Sequence, residues 1–277
     1  MVATALASGL APIALADEGP ADKSGYNLFN PTPTELMRPL SADRPDGTES
    51  PITVDAGHVQ VELSFLAYTH DDESSEHVDA WTVFDTNLKL GLLNNVDVQF
   101  VFGTYSEEEV DPRGAPSETL RGFGDVQVRV KINLWGNDGG NTAFGIMPFL
   151  KIPTNTELSN QHGEGGVIFM LGWDVAETWG LGFQAEVDFV YDEDDDDYDT
   201  ELAHTVVLGF DVLGPVGAYI EYIGVASSDT DSDYQAIFSS GLTYEVNENM
   251  VLDVGTQAGL SNTADDVTVF AGVTRRF

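Results

Sequence analysis

Asp125-Val-Gln-Val-Arg-Val-Lys-Ile-Asn-Leu134 is the stretch that decides the fold. Val126, Val128, Val130, Ile132 and Leu134 alternate without a break with Asp125, Gln127, Arg129, Lys131 and Asn133. Successive side chains of an extended strand point to opposite faces, so one face of this segment meets an apolar medium and the other a polar one. An unbroken row of polar positions suits a wet interior better than the surface of a dry sandwich.

Outward from this segment the same rhythm runs from Gly57 to Phe277. Val59, Val61, Leu63, Phe65 and Ala67 share one face, with Gln60, Glu62, Ser64 and Leu66 on the other. Phe84, Thr86, Leu88, Leu90 and Leu92 oppose Asp85, Asn87 and Lys89, and Val96, Val98, Phe100 and Phe102 mark a third strand. Later segments alternate from Val167 to Trp173, Leu181 to Phe189, His204 to Val212, Val216 to Tyr222, Phe238 to Val246, Leu252 to Leu260 and Val267 to Phe277. About twelve strands result, an even number as single-chain bacterial barrels have. Pro148 removes a ladder donor in mid-strand, which predicts a bulge there.

The connections sort by parity. Short turns at Asn94-Asn95, Trp135 to Asn141, near Glu177 and at Gly214-Pro215 alternate with longer acidic connections. The latter run from His70 to Asp79, through Glu107, Glu108, Glu109 and Asp111, from Pro153 to Gly165, from Asp192 to Asp199, and through Asp229, Asp231 and Asp233. Greek-key sandwiches have no reason to sort connections this way, whereas outer-membrane barrels do. Trp81, Tyr105, Trp135, Trp173, Trp179, Tyr191, Tyr222, Tyr234 and Tyr244 fall towards strand ends, as interfacial girdles require. The fold class expected is therefore all-β, a single antiparallel transmembrane β-barrel of about twelve strands with an irregular N-terminal leader, in contact with outer-membrane lipid of a Gram-negative-type bacterium.

Composition removes several classes. In 277 residues, 47 acidic against 11 basic side chains give a formal charge of −36, which repels nucleic acid, so no nucleic-acid partner is expected. Cysteine is absent, which leaves neither disulfides nor thiolate ligands or nucleophiles. Mean hydropathy is −0.11 and no run approaches the roughly 20 apolar residues of a membrane helix; a barrel with a polar lumen remains open.

Residues 1–16 end in Ala14-Leu15-Ala16, the A-x-A-like pattern of a secretory signal, although no Lys or Arg precedes the apolar run. A disordered Ala-rich terminus is the alternative, and a start codon set too far downstream would account for the missing charge. Residues 17–56 are rich in Pro, Asp, Ser and Thr without sustained periodicity and read as an irregular leader, periplasmic or inserted in the lumen. Residues 57–277 read as the barrel.

The segment RPLSADRPDGTESPITVDAGHVQVE at 38–62, GFGDVQVRVKINLWG from Gly122 to Gly136, and Lys151-Ile152-Pro153 resemble blocks of a bacterial outer-membrane β-barrel family of transporters associated with the MetA pathway of phenol degradation. The resemblance covers most of the chain after Tyr26. It implies an outer-membrane barrel and, through the family name alone, aromatic or other hydrophobic solutes; it assigns no functional residue.

The polar strand faces would line a lumen. Glu62, Lys89, Gln99, Arg129 and Lys131 are placed inward from early strands, and Glu186, Asp188, Asp211, Glu221, Glu245 and Asp253 from later ones. Cations on one wall and carboxylates on the other would set a transverse field across a polar passage. Alternatively these charges pair with one another or with Arg38, Asp43, Arg44 and Asp46 of the leader, filling the barrel. The first arrangement describes a channel for passive or facilitated passage of small molecules. The second describes a non-conducting structural or adhesive barrel, and a secreted acidic β-sandwich is a third reading.

Catalysis finds no constellation. His58, His70, His77, His162 and His204 lack H-x-x-H or H-E-x-x-H spacing, and the sequence neighbours of His204 supply no nucleophile or carboxylate. His70 and His77 share an acidic stretch in which a solvated charged loop is the plainer reading than a metal site. Asp194, Asp195, Asp196 and Asp197 are weak surface cation candidates without the Gly-punctuated loop of a calcium site. No cofactor is expected. Phe277 ends the last strand, where the barrel-assembly machinery is expected to engage it.

Overall fold

The computed structural model describes residues 22–159, 161–192, 196–229 and 232–277. Strand β1 (Val59–Asp72) is followed by β2 (Glu76–Val83), β3 (Asp85–Leu93), β4 (Val96–Phe102), β5 (Tyr105–Pro112), β6 (Glu118–Gly122), β7 (Val126–Trp135) and β8 (Thr142–Ile152). The remainder are β9 (Glu164–Ala176), β10 (Trp179–Asp192), β11 (Asp197–Leu213), β12 (Val216–Ser227), β13 (Gln235–Asn247), β14 (Met250–Gly259) and β15 (Val267–Arg276). All belong to one antiparallel sheet, closed by pairing of β15 with β1 from Gln60↔Arg276 to His70↔Val267.

Twelve strands complete the ring, as the alternation requires. Closure removes both edges and satisfies backbone groups without water, the condition for a sheet in lipid. The sheet order places β3, β4 and β7 on one arc and β10 to β14 across the lumen. β2, β5 and β6 are the distal parts of the second, third and fourth ring strands. β2 meets β3 at Phe84, a break with φ +56°, and β1, β2, β5 and β6 pair onward as a raised wall on the side of the long connections. The short turns, the entry to β1 and Phe277 lie at the other rim, where the Phe277 N–H donates to Val59 O at 2.8 Å.

Three local expectations are corrected. Much of the stretch from His70 to Asp79 and the run from Glu107 to Asp111 form strands, because β2 and β5 continue the ladder beyond the apolar band; high charge does not prevent extended pairing in water. A register shift between Ser64 and Leu66 turns Leu66 outward beside Phe65, where it is exposed rather than inward. At Pro148 there is no shift. The β7–β8 ladder skips Met147 and Pro148 and resumes in the same register, with Pro148 paired to Val167 on the other side.

Burial is inverted relative to a soluble protein. Lys89, Asp97, Gln99, Lys131, Glu221 and Ser239 are buried, whereas Leu134, Leu150, Phe189, Val212, Leu242 and Val254 are exposed. The exposed apolar belt is flanked by aromatics. Trp135 stacks on Phe144 and Trp179 on Phe210 towards the short-turn rim, and Trp81 lies against Tyr68 towards the raised wall.

Candidate functional site

The lumen is the site, and the leader occupies it. Residues 38–56 enter from the short-turn rim, reach mid-barrel and return to the same rim before β1. Two glycines permit this path. A Cβ on Gly91 of β3 would stand 2.1 Å from Asp55 O, and Gly57 (φ +78°) turns the chain into β1 against Pro31.

At the rim, Arg38 anchors the entry. Its Nη1 donates to Thr53 O at 3.0 Å, its Nε to Asp138 Oδ1 at 3.0 Å and its Nη2 to Asn94 O at 2.6 Å, while its backbone N–H donates to Asp55 Oδ2 at 3.0 Å. Lys23 reaches the same Asp138 at 2.9 Å, and Arg276 donates to Arg38 O at 2.8 Å. The returning limb is held by the wall: Asp97 accepts from Val54 N at 2.9 Å, Asn137 from Thr53 N at 3.1 Å, and Asn133 donates to Pro51 O at 2.9 Å.

At mid-barrel the leader meets both charged arcs. Asp43 accepts from Lys131 Nζ at 2.8 and 2.7 Å and from Lys89, which also donates to Glu62. Arg129 donates to Glu49 at 2.6 Å and to Gln127 at 2.7 and 2.9 Å. On the far side Arg44 pairs with Asp253, Nη2 to Oδ1 2.7 Å and Nε to Oδ2 3.2 Å. Glu221 accepts from Gly47 N at 2.9 Å and Thr48 Oγ1 at 2.6 Å, and Glu49 N donates to Gln184 at 2.7 Å. Adjacent residues of opposite sign thus reach opposite-sign arcs. The buried lysines, Asp43, Glu62 and Asp253 are ion-paired, and Asp97 and Glu221 are held by hydrogen bonds from neutral donors.

Of the lumen residues expected from sequence, Glu62, Lys89, Arg129, Lys131, Glu221 and Asp253 contact the leader or the residues holding it. Gln99 is buried between Asn87 and Asp97. Glu186 and Asp188 are half-buried on β10 above the leader's apex, with Glu186 accepting from Gln184 at 2.9 Å. Asp211 and Glu245 lie exposed at the short-turn rim, outside the mid-barrel network. Arg38, Asp43 and Arg44 are leader anchors as described, whereas Asp46 borders the free space of the lumen. Glu49, Thr48 and Asp55 were not singled out by sequence reasoning. Unmatched inward cations on β7 were the available signal that further leader carboxylates must face them.

Free space remains beside the leader. A cavity of about 440 Å³ is lined by Arg44, Asp46 and Thr48 and by the inner wall of β9 to β13, on the short-turn side of the leader's bonds to Gln184, Thr205 and Glu221, where Gly182, Gly209 and Gly217 present no side chain. The surface candidates divide: Asp194 and Asp195 lie outside the described residues, Asp196 accepts from Tyr191 Oη, and Asp197 opens β11. Residues 1–16 of the expected signal also lie outside them. The His204 ring meets Tyr234 Oη at 3.2 Å, stacks with the Tyr234 ring and is tilted against Tyr222, an aromatic cluster.

Comparison with solved structures places the chain among outer-membrane barrels. It is similar to the COG4313 outer membrane channel from Pseudomonas putida F1, with a TM-score of 0.64 at 11% identity, covering 86% of this chain and 100% of that one. Similarity to the NanC porin has a TM-score of 0.50 at 12% identity, over 78% of this chain and 98% of that one. At these identities the likeness is one of fold. No curated protein sequence matches the chain. The model of one family matches residues 42–277, from the leader's apex through the whole barrel, and the chain belongs to that family, described as "Putative MetA-pathway of phenol degradation".

Proposed function

We propose that the protein is an outer-membrane channel for small molecules in which leader residues 38–56 form a fixed constriction and solutes pass between the leader and the glycine-faced wall of β9 to β12. The observation that carries this reading is the cavity left between the leader and the glycines of the wall. The leader is held to the cationic arc through Asp43 and Glu49 and to the opposite arc through Arg44, Gly47 and Thr48, and on the short-turn side of these bonds 440 Å³ of free space lies against Gly182, Gly209 and Gly217. A passage with Arg44 and Asp46 on one side and little side-chain bulk on the other selects by size and by a local charge pair. The transverse field expected from bare opposing walls is thereby reduced to the charges the leader leaves uncovered, chiefly Glu186, Asp188 and Asp211.

The family description supports aromatic compounds as solutes, and a hydroxylated ring fits a polar passage of this volume. Residues 1–16 serve as the export signal, and Phe277 as the contact for the barrel-assembly machinery. The supporting geometry for Phe277 is an exposed ring at the seam, under Arg275 at 4.8 Å. A second reading, a sealed structural barrel, is favoured by the density of leader bonds. Swelling of protein-loaded liposomes in solutes graded by size separates the two: uptake of compounds of phenol or amino-acid size with exclusion of disaccharides supports the channel, and no uptake of any solute supports the sealed barrel.

A further inference from the structure

We propose that His70, His77 and Asp79 form a binding site for a zinc-like divalent transition-metal ion on the outer face of the raised wall. The antiparallel register builds it. His70 stands directly opposite Asp79, and Asp72 directly opposite His77. Each pair is two residues from the other along its strand, so all four side chains share one face. That face is the outer one, since Tyr68 and Trp81, the next pair along, stack with ring centroids 4.3 Å apart and Trp81 is exposed.

The donor atoms converge as a metal site requires. One ligand atom from each of His70, His77 and Asp79 lies within 4.8 Å of the others. His70 Nδ1 is 3.0 Å from Asp79 Oδ1, His77 Nε2 is 3.1 Å from Asp79 Oδ2, and His77 Nδ1 is 3.9 Å from Asp72. The imidazoles meet edge to face at 4.9 Å. In a tetrahedral site with bonds of about 2 Å, donors stand a little over 3 Å apart, so modest rotations bring His70 Nδ1, His77 Nε2 and an Asp79 oxygen onto one ion, with solvent in the remaining position, while Asp72, also held by Arg113, stays beside the other ring nitrogen of His77. Two imidazoles with a carboxylate favour Zn²⁺, Cu²⁺ or Ni²⁺, whereas Ca²⁺ and Mg²⁺ take oxygen sets.

The surroundings suit a cation. Tyr68 Oη donates to Asp79 Oδ1 at 2.5 Å, the kind of outer contact that orients a ligating carboxylate. On the neighbouring strand, Glu109 pairs opposite Asp79 and Asp111 opposite His77, adding negative charge on the same face. All three donors are about one-third exposed, open to ions in the external medium. A bound ion would clip β1 to β2 and stiffen the wall, whose last strand, β6, pairs with β5 alone among the described strands.

The test uses the full-length protein, chelator-treated in detergent micelles, with Zn²⁺ titrated by calorimetry and Co²⁺ as a spectroscopic probe. One ion per chain, visible cobalt bands of nitrogen ligation, and weakening by about tenfold or more in His70→Gln and in His77→Gln are expected. Zinc should also protect both histidines of the unmodified chain from carbethoxylation, a readout that does not depend on a variant folding. Absence of binding, binding unchanged in both histidine variants, failure of zinc to protect the histidines, or equal competition by Ca²⁺ would each overturn the proposal.

Discussion

Lys131 grips both carboxylate oxygens of Asp43, at 2.8 and 2.7 Å, and so ties a residue of the irregular leader to the inner wall of β7. The same carboxylate takes a bond from Lys89 of β3 and another from Ser50 N at 2.9 Å. One leader residue therefore satisfies two buried lysines and closes its own turn.

Removing that charge should loosen the leader. Asp43→Asn leaves two buried ammonium groups short of a counter-charge, a change of the kind that costs roughly 3–5 kcal/mol. The ring's own strand pairing should limit the damage to the leader, so the variant is expected to keep heat-modifiable migration on gels while residues near 43 become open to protease. A variant as protease-resistant as the original would count against Asp43 as the clamp.

Arg44 and Asp253 give a reciprocal test. Arg44→Glu sets two carboxylates against each other in a buried place, and Arg44→Glu with Asp253→Arg restores opposite charges in reversed order. Thermal denaturation in micelles should show a lower melting temperature for the single variant and recovery of at least half the loss in the double one. No recovery would mean that the pair is incidental.

Gly209 bears on the passage rather than on the plug. A Cβ there meets nothing within 4 Å, so Gly209→Leu adds bulk to the cavity wall without a clash. Stability should change by less than about 1 kcal/mol, because no packed atom is displaced, while solute flux falls. Unaltered flux in liposome swelling would place the path elsewhere.

Gly91 is the converse case. Its missing side chain admits Asp55 O, and Gly91→Val should push the returning limb out of the rim. Increased flux with the barrel still folded is expected, and it is read in the same liposome assay.

Much of this architecture is legible in a period of two. Asp125 to Leu134 maps onto β7 almost residue for residue, and the inward placement of Lys89, Gln99, Arg129, Lys131 and Asp253 follows from alternation alone. Alternation fails where the backbone changes phase, as at the shift between Ser64 and Leu66. It is also silent on the leader, whose fold is fixed by contacts with strands from 19 to over 200 residues away and not by its own pattern. For a related reason the sequence favours a solvated charged loop over a metal site at His70 and His77 and does not single out Asp79. The spacing of the three matches no linear motif, and only the β1–β2 register sets them side by side.

The central claim is that residues 43–49 constrict the lumen. Single-channel recording in planar bilayers tests it most directly, comparing the original chain with the charge-neutralised variant Asp43→Asn, Arg44→Gln, Glu49→Gln. A small conductance in the original and a several-fold larger or flickering one in the variant is the predicted result. Identical conductance in the two proteins would contradict it.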